Sequence, residues 1–162
     1  MKNRSSAYIL LLLSADQLVK YCAYPASKLY TPAFHYYVLG LVSWYPTANH
    51  GITLSWLSQI TPWLLAILQL SILLYLYKLK PPKYSWIWIS AGALSNILDR
   101  LTYGYVIDYL SFKAFGFTWP AIVNLADLYI TSGIIYWIYA SNRGSVNFPG
   151  NSPTRKLQSD EG

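Results

Sequence analysis

Residues 95–127 read SNILDRLTYGYVIDYLSFKAFGFTWPAIVNLAD and contain three of the six acidic residues of the chain. Asp99, Asp108 and Asp127 lie there among Ile, Leu, Val, Tyr and Trp. Burying a carboxylate in apolar surroundings is costly unless the group is paired, hydrogen-bonded or protonated. The stretch therefore predicts either a catalytic site or a network of structural ion pairs and helix caps.

The composition is typical of a membrane protein. Hydrophobic residues make up 54% of the 162 residues and charged residues 11%, against about 25% in an average soluble domain. Seven Trp and sixteen Tyr add side chains that favour the membrane–water interface. The basic residues flank apolar runs and form no stripe, so the net charge of +6 does not indicate a nucleic-acid partner.

Cysteine and histidine offer little for metal or redox chemistry. Cys22 is the only cysteine, which excludes an intramolecular disulfide and a CxxC metal motif. His35 and His50 fit no HExxH pattern. We expect no metal and no cofactor, and we expect any catalysis to use oxygen and nitrogen groups of the protein.

Four apolar runs approach the length of about 20 residues that spans a bilayer. They predict transmembrane helices at residues 5–24, 60–79, 84–102 and 121–140. Pro25 is predicted to end the first helix, and Thr61 and Pro62 to open the second, because proline suits the first helical turn.

Asp16 and Lys20 lie inside the first run. Asp16 interrupts the apolar region, and the residues before Cys22 are not small, so a cleavable signal peptide is disfavoured. The i, i+4 spacing of Asp16 and Lys20, with the acid first, predicts an ion pair on one helix face.

The segment between the first two helices, residues 26–59, is predicted to form a small sheet outside the membrane. Short alternating pieces at residues 34–44 and 52–57 predict strands. Turns are predicted at Pro46 and at residues 49–51.

The basic residues predict the orientation in the membrane. Eight of the twelve Lys and Arg residues lie in the N-terminal segment, the loop at residues 78–83 and a disordered tail predicted for residues 141–162. The positive-inside rule places these segments and both termini in the cytoplasm. The outer segment at residues 103–120 then carries Asp108 just beyond the third helix, and Asp127 lies about two turns into the fourth. Both aspartates are expected near the outer face of the membrane.

The third helix carries polar residues at helical spacing. Gly92, Asn96 and Arg100 recur every four residues and share a face, where glycine permits close helix contact. Asp99 lies beside that face. It is interpreted as support for Arg100, with pairing to a basic residue of another helix as the alternative.

Asp108 and Asp127 have no basic residue nearby in the sequence. Asn124 shares a helix face with Asp127, and Gly104 lets the chain turn towards Asp108. Two facing carboxylates cannot both ionise easily, so one keeps a proton and the other acts as a base. Such a pair activates water to attack a peptide carbonyl. In the structural alternative, the two aspartates cap helices or form ion pairs.

Five short motifs occur in order along the chain. Residues 16–20, DQLVK, and residues 49–51, NHG, are similar to D-Q-x-x-K and N-x-G. Residues 92–100, GALSNILDR, are similar to G-x-x-x-N-x-x-D-R. Residues 104–109, GYVIDY, are similar to G-x-V-x-D-F, and residues 124–127, NLAD, match N-x-A-D. In this order they resemble the bacterial lipoprotein signal peptidase (signal peptidase II) family of intramembrane aspartic proteases.

The resemblance implies a membrane-bound, all-α fold with a small β element. Four transmembrane helices would be joined by an extracytoplasmic β-sheet cradle and a short outer amphipathic helix. Asp108 and Asp127 would be the catalytic dyad. Supporting or substrate-binding positions would be Asp16, Lys20, Asn49, Gly51, Gly92, Asn96, Asp99, Arg100, Asn124 and Ala126.

The resemblance also implies an activity. The family removes signal peptides from prolipoproteins whose invariant cysteine carries a diacylglyceryl group, and it cuts on the N-terminal side of that cysteine. We therefore expect lipidated prolipoproteins as substrates, membrane lipids as surroundings and inhibition by globomycin-type cyclic peptides. The expected location is the bacterial inner membrane, with the active site near its periplasmic face.

Four positions depart from the family pattern. Leu54 stands where Phe usually follows the N-x-G turn, and Ser95 where a glycine often precedes Asn96. Tyr109 and Val123 each replace a Phe. As packing positions, they are expected to affect substrate fit and not the chemistry.

Two rival functions belong to other classes. A small proton-coupled transporter would use intramembrane aspartates to relay protons, but four helices leave little room for a pathway and the sequence has no inverted repeat. A non-enzymatic scaffold that binds lipidated or helical partners would not depend on the aspartates.

Overall fold

A computed structural model of the chain describes residues 2–29, 37–38, 41–51, 61–114 and 117–143. These residues form four helices and four strands in the order α1 (Lys2–Leu29), β1 (Tyr37–Val38), β2 (Val42–Asn49), α2 (Pro62–Lys78), α3 (Lys83–Tyr103), β3 (Val106–Ala114), β4 (Phe117–Val123) and α4 (Leu125–Asn142). The strands make one antiparallel sheet, ordered β1-β2-β3-β4. Four helices with a small sheet are the architecture that was predicted.

Helix α2 begins where its sequence signal predicts, and α3 ends at a glycine. Thr61 has an extended backbone before α2, and Pro62 is the first residue of that helix. Helix α3 ends at Gly104, whose φ of 80° is left-handed and whose N–H donates to the carbonyl of Arg100. Gly104 therefore turns the chain from α3 into β3.

Helix α1 continues past Pro25 to Leu29, so the prediction that Pro25 ends it is wrong. A proline inside a helix loses one N–H donor and costs about 3 kcal/mol or more. Here the proline lies near the end of a 28-residue helix. The residues that follow it keep their own N–H groups, and the helix goes on for one more turn.

The predicted turn at Pro46 is also wrong, because Pro46 lies within β2. The register between β2 and β3 shifts between Trp44 and Thr47, so Pro46 occupies a β-bulge. Proline lacks the N–H of a regular ladder and is tolerated in sheets at edges and bulges. The turn predicted at residues 49–51 is confirmed, since β2 ends at Asn49 and Gly51 has a φ of 98°.

The strand predicted at residues 34–44 is divided between β1 and β2. The two pair antiparallel, with Tyr37 opposite Ser43. A pair of strands satisfies backbone groups that one isolated strand would leave open. The strand predicted at residues 52–57 lies outside the described residues.

The second outer segment forms strands β3 and β4 of the same sheet. The end of β4 pairs with β3, with Val123 opposite Leu110. Helix α4 therefore begins at Leu125 and not at residue 121, and Asp127 lies in its first turn and not two turns inside. β-Branched residues beside a partner strand favour strand over helix.

The short outer amphipathic helix is not among the four helices of the described residues. Residues 30–36, 39–40 and 52–60, which include Leu54, lie outside the described part, as does the chain after residue 143. The tail predicted to begin at residue 141 begins later, because α4 continues to Asn142. Within the described ranges, no helix combines the length and the apolar character required to cross a membrane.

Helix α3 is the most buried helix and packs against α1, α2 and α4. Two glycines permit its close contact with α4. A Cβ on Gly92 would lie 2.2 Å from the Ala126 carbonyl oxygen, and one on Gly133 would lie 2.7 Å from Ile89 Cγ1. The close approach brings the polar face of α3 to the first turn of α4.

Candidate active site

Two asparagines join Asp108 to Asp127 where the sheet meets α3 and α4. Asn124 Nδ2 donates to Asp108 Oδ1 at 2.7 Å, and Asn96 Nδ2 donates to Asp127 Oδ1 at 2.9 Å. Asn124 Nδ2 also lies 3.2 Å from Asn96 Oδ1. The structure therefore brings together both predicted catalytic aspartates and two of the three predicted asparagines, Asn96 and Asn124.

Asn124 and Asp127 form a capping box at the start of α4. The Asn124 side chain accepts from the Asp127 N–H at 3.0 Å, and Asp127 Oδ2 accepts from the Asn124 N–H at 3.1 Å. A capping box satisfies two donors that a helix start leaves unpaired. Asp127 therefore caps a helix, as the structural alternative predicted, and also lies near Asp108.

Asn49, at the end of β2, holds the other oxygen of Asp108. Its Nδ2 donates to Asp108 Oδ2 at 2.7 Å, and its Oδ1 accepts from the Gly51 N–H at 2.8 Å. The second bond determines which end of the amide faces the carboxylate. Gly51 supports this turn with a left-handed φ of 98°, which favours glycine. The predicted positions Asn49 and Gly51 act together on Asp108.

Asp108 is almost fully buried, and its pKa is raised from 3.8 to about 7. Burial is the largest cause, because apolar surroundings disfavour the charged form, and the charge of Asp127 adds to it. The hydrogen bonds from Asn49 and Asn124 lower the pKa. A carboxyl group that exchanges its proton near neutral pH is suited to general acid–base chemistry.

Lys20 is a buried cation between two buried carboxylates. Its Nζ lies 2.8 Å from Asp16 Oδ2 and 2.9 Å from Asp99 Oδ2. The predicted pair of Asp16 and Lys20 is therefore confirmed. Lys20 Nζ also donates to Asn96 Oδ1 at 2.8 Å, so the ion network orients the amide that contacts Asp127.

The interpretation of Asp99 as support for Arg100 is wrong. Asp99 pairs with Lys20 of α1, and its Oδ2 accepts from the Ile107 N–H at 3.1 Å. Arg100 Nη1 instead donates to Gln69 Oε1 of α2 at 2.6 Å. Consecutive helical residues point about 100° apart, so the two side chains meet different helices.

Ser95 and Tyr109 are more than packing positions, contrary to the expectation from the sequence. Ser95 Oγ donates to Asp16 Oδ2 at 2.6 Å, and Tyr109 Oη donates to Asp16 Oδ1 at 3.1 Å. Both residues depart from the family pattern, and both contact the same carboxylate. Nothing in the sequence places these three residues together, because Asp16 and Ser95 are 79 positions apart.

Two glutamines of the network were also missed. Gln17 Nε2 donates to Ser95 Oγ and to Asp99 Oδ1, both at 2.8 Å. Gln69 holds Arg100, as described above. The available signal was an amide side chain inside an otherwise apolar run, which predicts a buried polar partner.

Gly92 and Ala126 act through the backbone. The missing Cβ of Gly92 lets the Ala126 carbonyl approach α3. Ala126 is fully buried, and its N–H donates to Asp16 Oδ1 at 3.2 Å.

In the described part of the chain, no group of three His, Cys, Asp or Glu side chains is arranged to hold a metal ion.

An apolar cavity of about 330 Å³ lies beside the start of α4. Val123 and Leu128, which flank the capping box, form part of its wall. Aromatic side chains of β3 and β4 complete the lining: Phe112, Phe117 and Trp119.

The fold is shared with solved structures of bacterial membrane enzymes. One such enzyme, determined by the in meso method, matches with a TM-score of 0.66 at 24% identity, over 93% of this chain and 94% of its own. A second matches with a TM-score of 0.61 at 23% identity. The fold is therefore that of a class of bacterial membrane enzymes.

The family model of signal peptidase (SPase) II matches residues 8–143. The lipoprotein signal peptidase of Allorhizobium ampelinum is 34% identical over 143 residues, covering 78% of this chain and 80% of its own. That of Sinorhizobium fredii is 36% identical over 137 residues, covering 78% of each chain. The chain belongs to the signal peptidase II family, which confirms the resemblance carried by the five motifs.

Proposed function

We propose that the protein is an intramembrane aspartic endopeptidase that removes the signal peptide from diacylglyceryl-modified prolipoproteins. The observation that carries this proposal is the hydrogen-bonded group of Asp108, Asp127, Asn96 and Asn124, in which the pKa of Asp108 is raised to about 7. Family membership supports the substrate class, because the curated relatives are lipoprotein signal peptidases.

The dyad of Asp108 and Asp127 holds one proton near neutral pH and activates a water molecule. The ionised carboxylate takes a proton from the water as its oxygen adds to the scissile carbonyl carbon, and the protonated carboxyl gives its proton to the carbonyl oxygen. The resulting diol collapses when the C–N bond breaks. As the bond breaks, the leaving amine takes a proton from the dyad, and one diol hydroxyl gives its proton back to the dyad.

The products define where the bond is cut. The signal peptide leaves with a new carboxylate, and the lipoprotein retains the lipidated cysteine as its N-terminal residue.

The polar residues around the dyad hold its geometry: Asn49, Asn96 and Asn124 through direct hydrogen bonds, and Lys20 with its two carboxylates through Asn96.

The active site works near the outer face of the bacterial inner membrane, with both termini in the cytoplasm. Large apolar side chains exposed on the outer faces of the helices are suited to contact lipid, among them Leu10, Leu68 and Ile135. The basic loop at residues 78–83 fits the cytoplasmic side. These observations support helices that lie in the membrane, with the sheet on the periplasmic side.

The cavity between β4 and α4 supports the proposal that the substrate carries a lipid. Its aromatic and aliphatic lining fits an acyl chain of the diacylglyceryl group, because an acyl chain bound there would bury its apolar surface against apolar side chains. The cavity lies beside Asn124 and Asp127, so a chain bound in it would keep the adjacent peptide bond near the dyad.

The test is cleavage of a synthetic diacylglyceryl prolipoprotein by the purified protein in proteoliposomes. Mass spectrometry is expected to find a product that begins with the lipidated cysteine, formed only from the lipidated substrate and blocked by globomycin. Proton or solute flux without cleavage would instead establish the transporter. Substrate binding without cleavage, unaffected by Asp108→Asn or Asp127→Asn, would establish the scaffold.

A further inference from the structure

The first turn of α4 is held from outside the helix. The N–H of Leu125 donates to Tyr109 Oη at 3.1 Å, and the N–H of Ala126 donates to Asp16 Oδ1 at 3.2 Å. A buried helix start needs such partners, because its first N–H groups have no acceptor within the helix. Asp127 lies in this same turn.

Tyr109 links that turn to the strand of Asp108. Its hydroxyl accepts from Leu125 and donates to Asp16 Oδ1 at 3.1 Å, so one oxygen connects β3, α1 and α4. The side chain is 1% exposed, and its ring packs against Trp44 with a centroid distance of 5.0 Å. Burial raises the pKa of Tyr109, so the hydroxyl keeps the proton that it donates.

Asp16 is fixed on both oxygens. Ser95 Oγ and Lys20 Nζ contact Oδ2 at 2.6 Å and 2.8 Å, while Tyr109 and Ala126 contact Oδ1. The carboxylate therefore cannot turn without breaking several buried contacts. The position of Tyr109 Oη is consequently determined by α1 and α3 as well as by β3.

We infer that Tyr109 is a positioning residue for the catalytic dyad, and that its hydroxyl sets the separation of Asp108 and Asp127. Asp108 precedes Tyr109 on β3, and Asp127 lies two residues after Leu125 on α4. The Tyr109–Leu125 bond is thus a short bridge between the two elements that carry the dyad. The catalytic part of this inference rests on the proposed function.

The test is the Tyr109→Phe variant, which removes one oxygen and keeps the ring. Its kcat is expected to fall on the order of 10- to 100-fold with little change in KM, because small displacements of reacting groups are costly. The alkaline limb of the pH–rate profile should move to lower pH, since a more distant Asp127 raises the pKa of Asp108 less. Tyr103→Phe is the control, because its ring packs in the same cluster as Tyr109 but its hydroxyl is not among the described hydrogen-bond donors to Asp16.

A second readout does not depend on activity. Hydrogen exchange of the peptide covering residues 124–128 should become faster in Tyr109→Phe and stay unchanged in Tyr103→Phe. Thermal unfolding curves are used to check that both variants are folded. Unchanged exchange would overturn the bridge, and faster exchange with normal kcat and a normal profile would overturn its positioning role. If the wild-type protein cleaves no lipidated substrate, the proposed function fails and the positioning role fails with it, while exchange still decides whether the bridge exists.

Discussion

Asp108 is subject to opposing influences at the scale of single residues. Burial and the charge of Asp127 favour its protonated form, while hydrogen bonds from Asn49 and Asn124 favour the carboxylate. The balance places its pKa at about 7, where a shared proton can be given and regained. Small changes to these partners should therefore be visible in both stability and rate.

The folded protein should lose stability as the pH rises from about 4 to about 7. Asp108 binds its proton more tightly in the folded state than in the unfolded state, whose pKa is near 3.8, so its contribution is complete below that value and lost as the pH passes about 7. The free energy of unfolding in detergent, measured over this range, should show the decline. Asp108→Asn should reduce its slope, and an unchanged slope would contradict the assignment.

Removing the Asn49 side chain should weaken catalysis and shift its pH dependence. Asn49→Ala deletes a hydrogen bond to a charged group, worth about 1.5–3 kcal/mol, and should lower kcat/KM on the order of 10- to 100-fold. Because this bond lowers the pKa of Asp108, the alkaline limb of the pH–rate profile should move to higher pH. His50→Ala, at the next residue in the same turn, is the matched control and should leave the profile in place.

At the scale of elements, local signals located α2 and α3 but not α4. Thr61 and Pro62 mark a helix start within a few residues, and so the sequence was sufficient there. The apolar run placed the start of α4 at residue 121, because it could not show that Val123 pairs with Leu110 of the neighbouring strand. The local signal for the observed start is the capping pair of Asn124 and Asp127.

The contact of α3 with α4 should not tolerate a methyl group at Gly92. A Cβ there would lie 2.2 Å from the backbone oxygen of Ala126, which cannot move without displacing the first turn of α4. Gly92→Ala should cost about 3 kcal/mol or more in stability, at the upper end of overpacking, and abolish cleavage. At Gly133 the nearest atom is the side-chain Ile89 Cγ1 at 2.7 Å, so Gly133→Ala should be milder. Equal effects on the unfolding temperature and on cleavage would refute this view of the contact.

At the scale of the whole molecule, buried charge connects the helices. The two aspartates and their asparagines could be selected from the sequence because they match family motifs, and because Asn96 lies on the polar face of α3 and Asn124 shares a face with Asp127. Pairing of Asp99 with a basic residue of another helix was the alternative interpretation and is confirmed, but Lys20 could not be identified as the partner, because residues on α1 and α3 meet only in the folded chain. The same limit applies to Tyr109, whose hydroxyl has a role only once α1, β3 and α4 are assembled.

Lys20 should be essential for folding as well as for activity. Lys20→Met leaves Asp16 and Asp99 buried without their cation, which is expected to cost about 3–5 kcal/mol. Lys78→Met, at an exposed position, should change stability by no more than about 0.5 kcal/mol. Adding Asp99→Asn to Lys20→Met should recover part of the loss, and no recovery would show that the ion network is not the cause.

The most direct test of the dyad is the single-turnover cleavage rate of a diacylglyceryl prolipoprotein by the wild type, Asp108→Asn and Asp127→Asn in the same proteoliposomes. Each substitution keeps the shape of the side chain but places an amide N–H group where an oxygen accepts a hydrogen bond, so the unfolding temperature should fall while both variants stay folded. The cleavage rate of both variants should fall by about 10²- to 10⁴-fold, the range expected for the loss of a general acid–base group. A folded variant of either aspartate that cleaves at a near-normal rate would contradict the account.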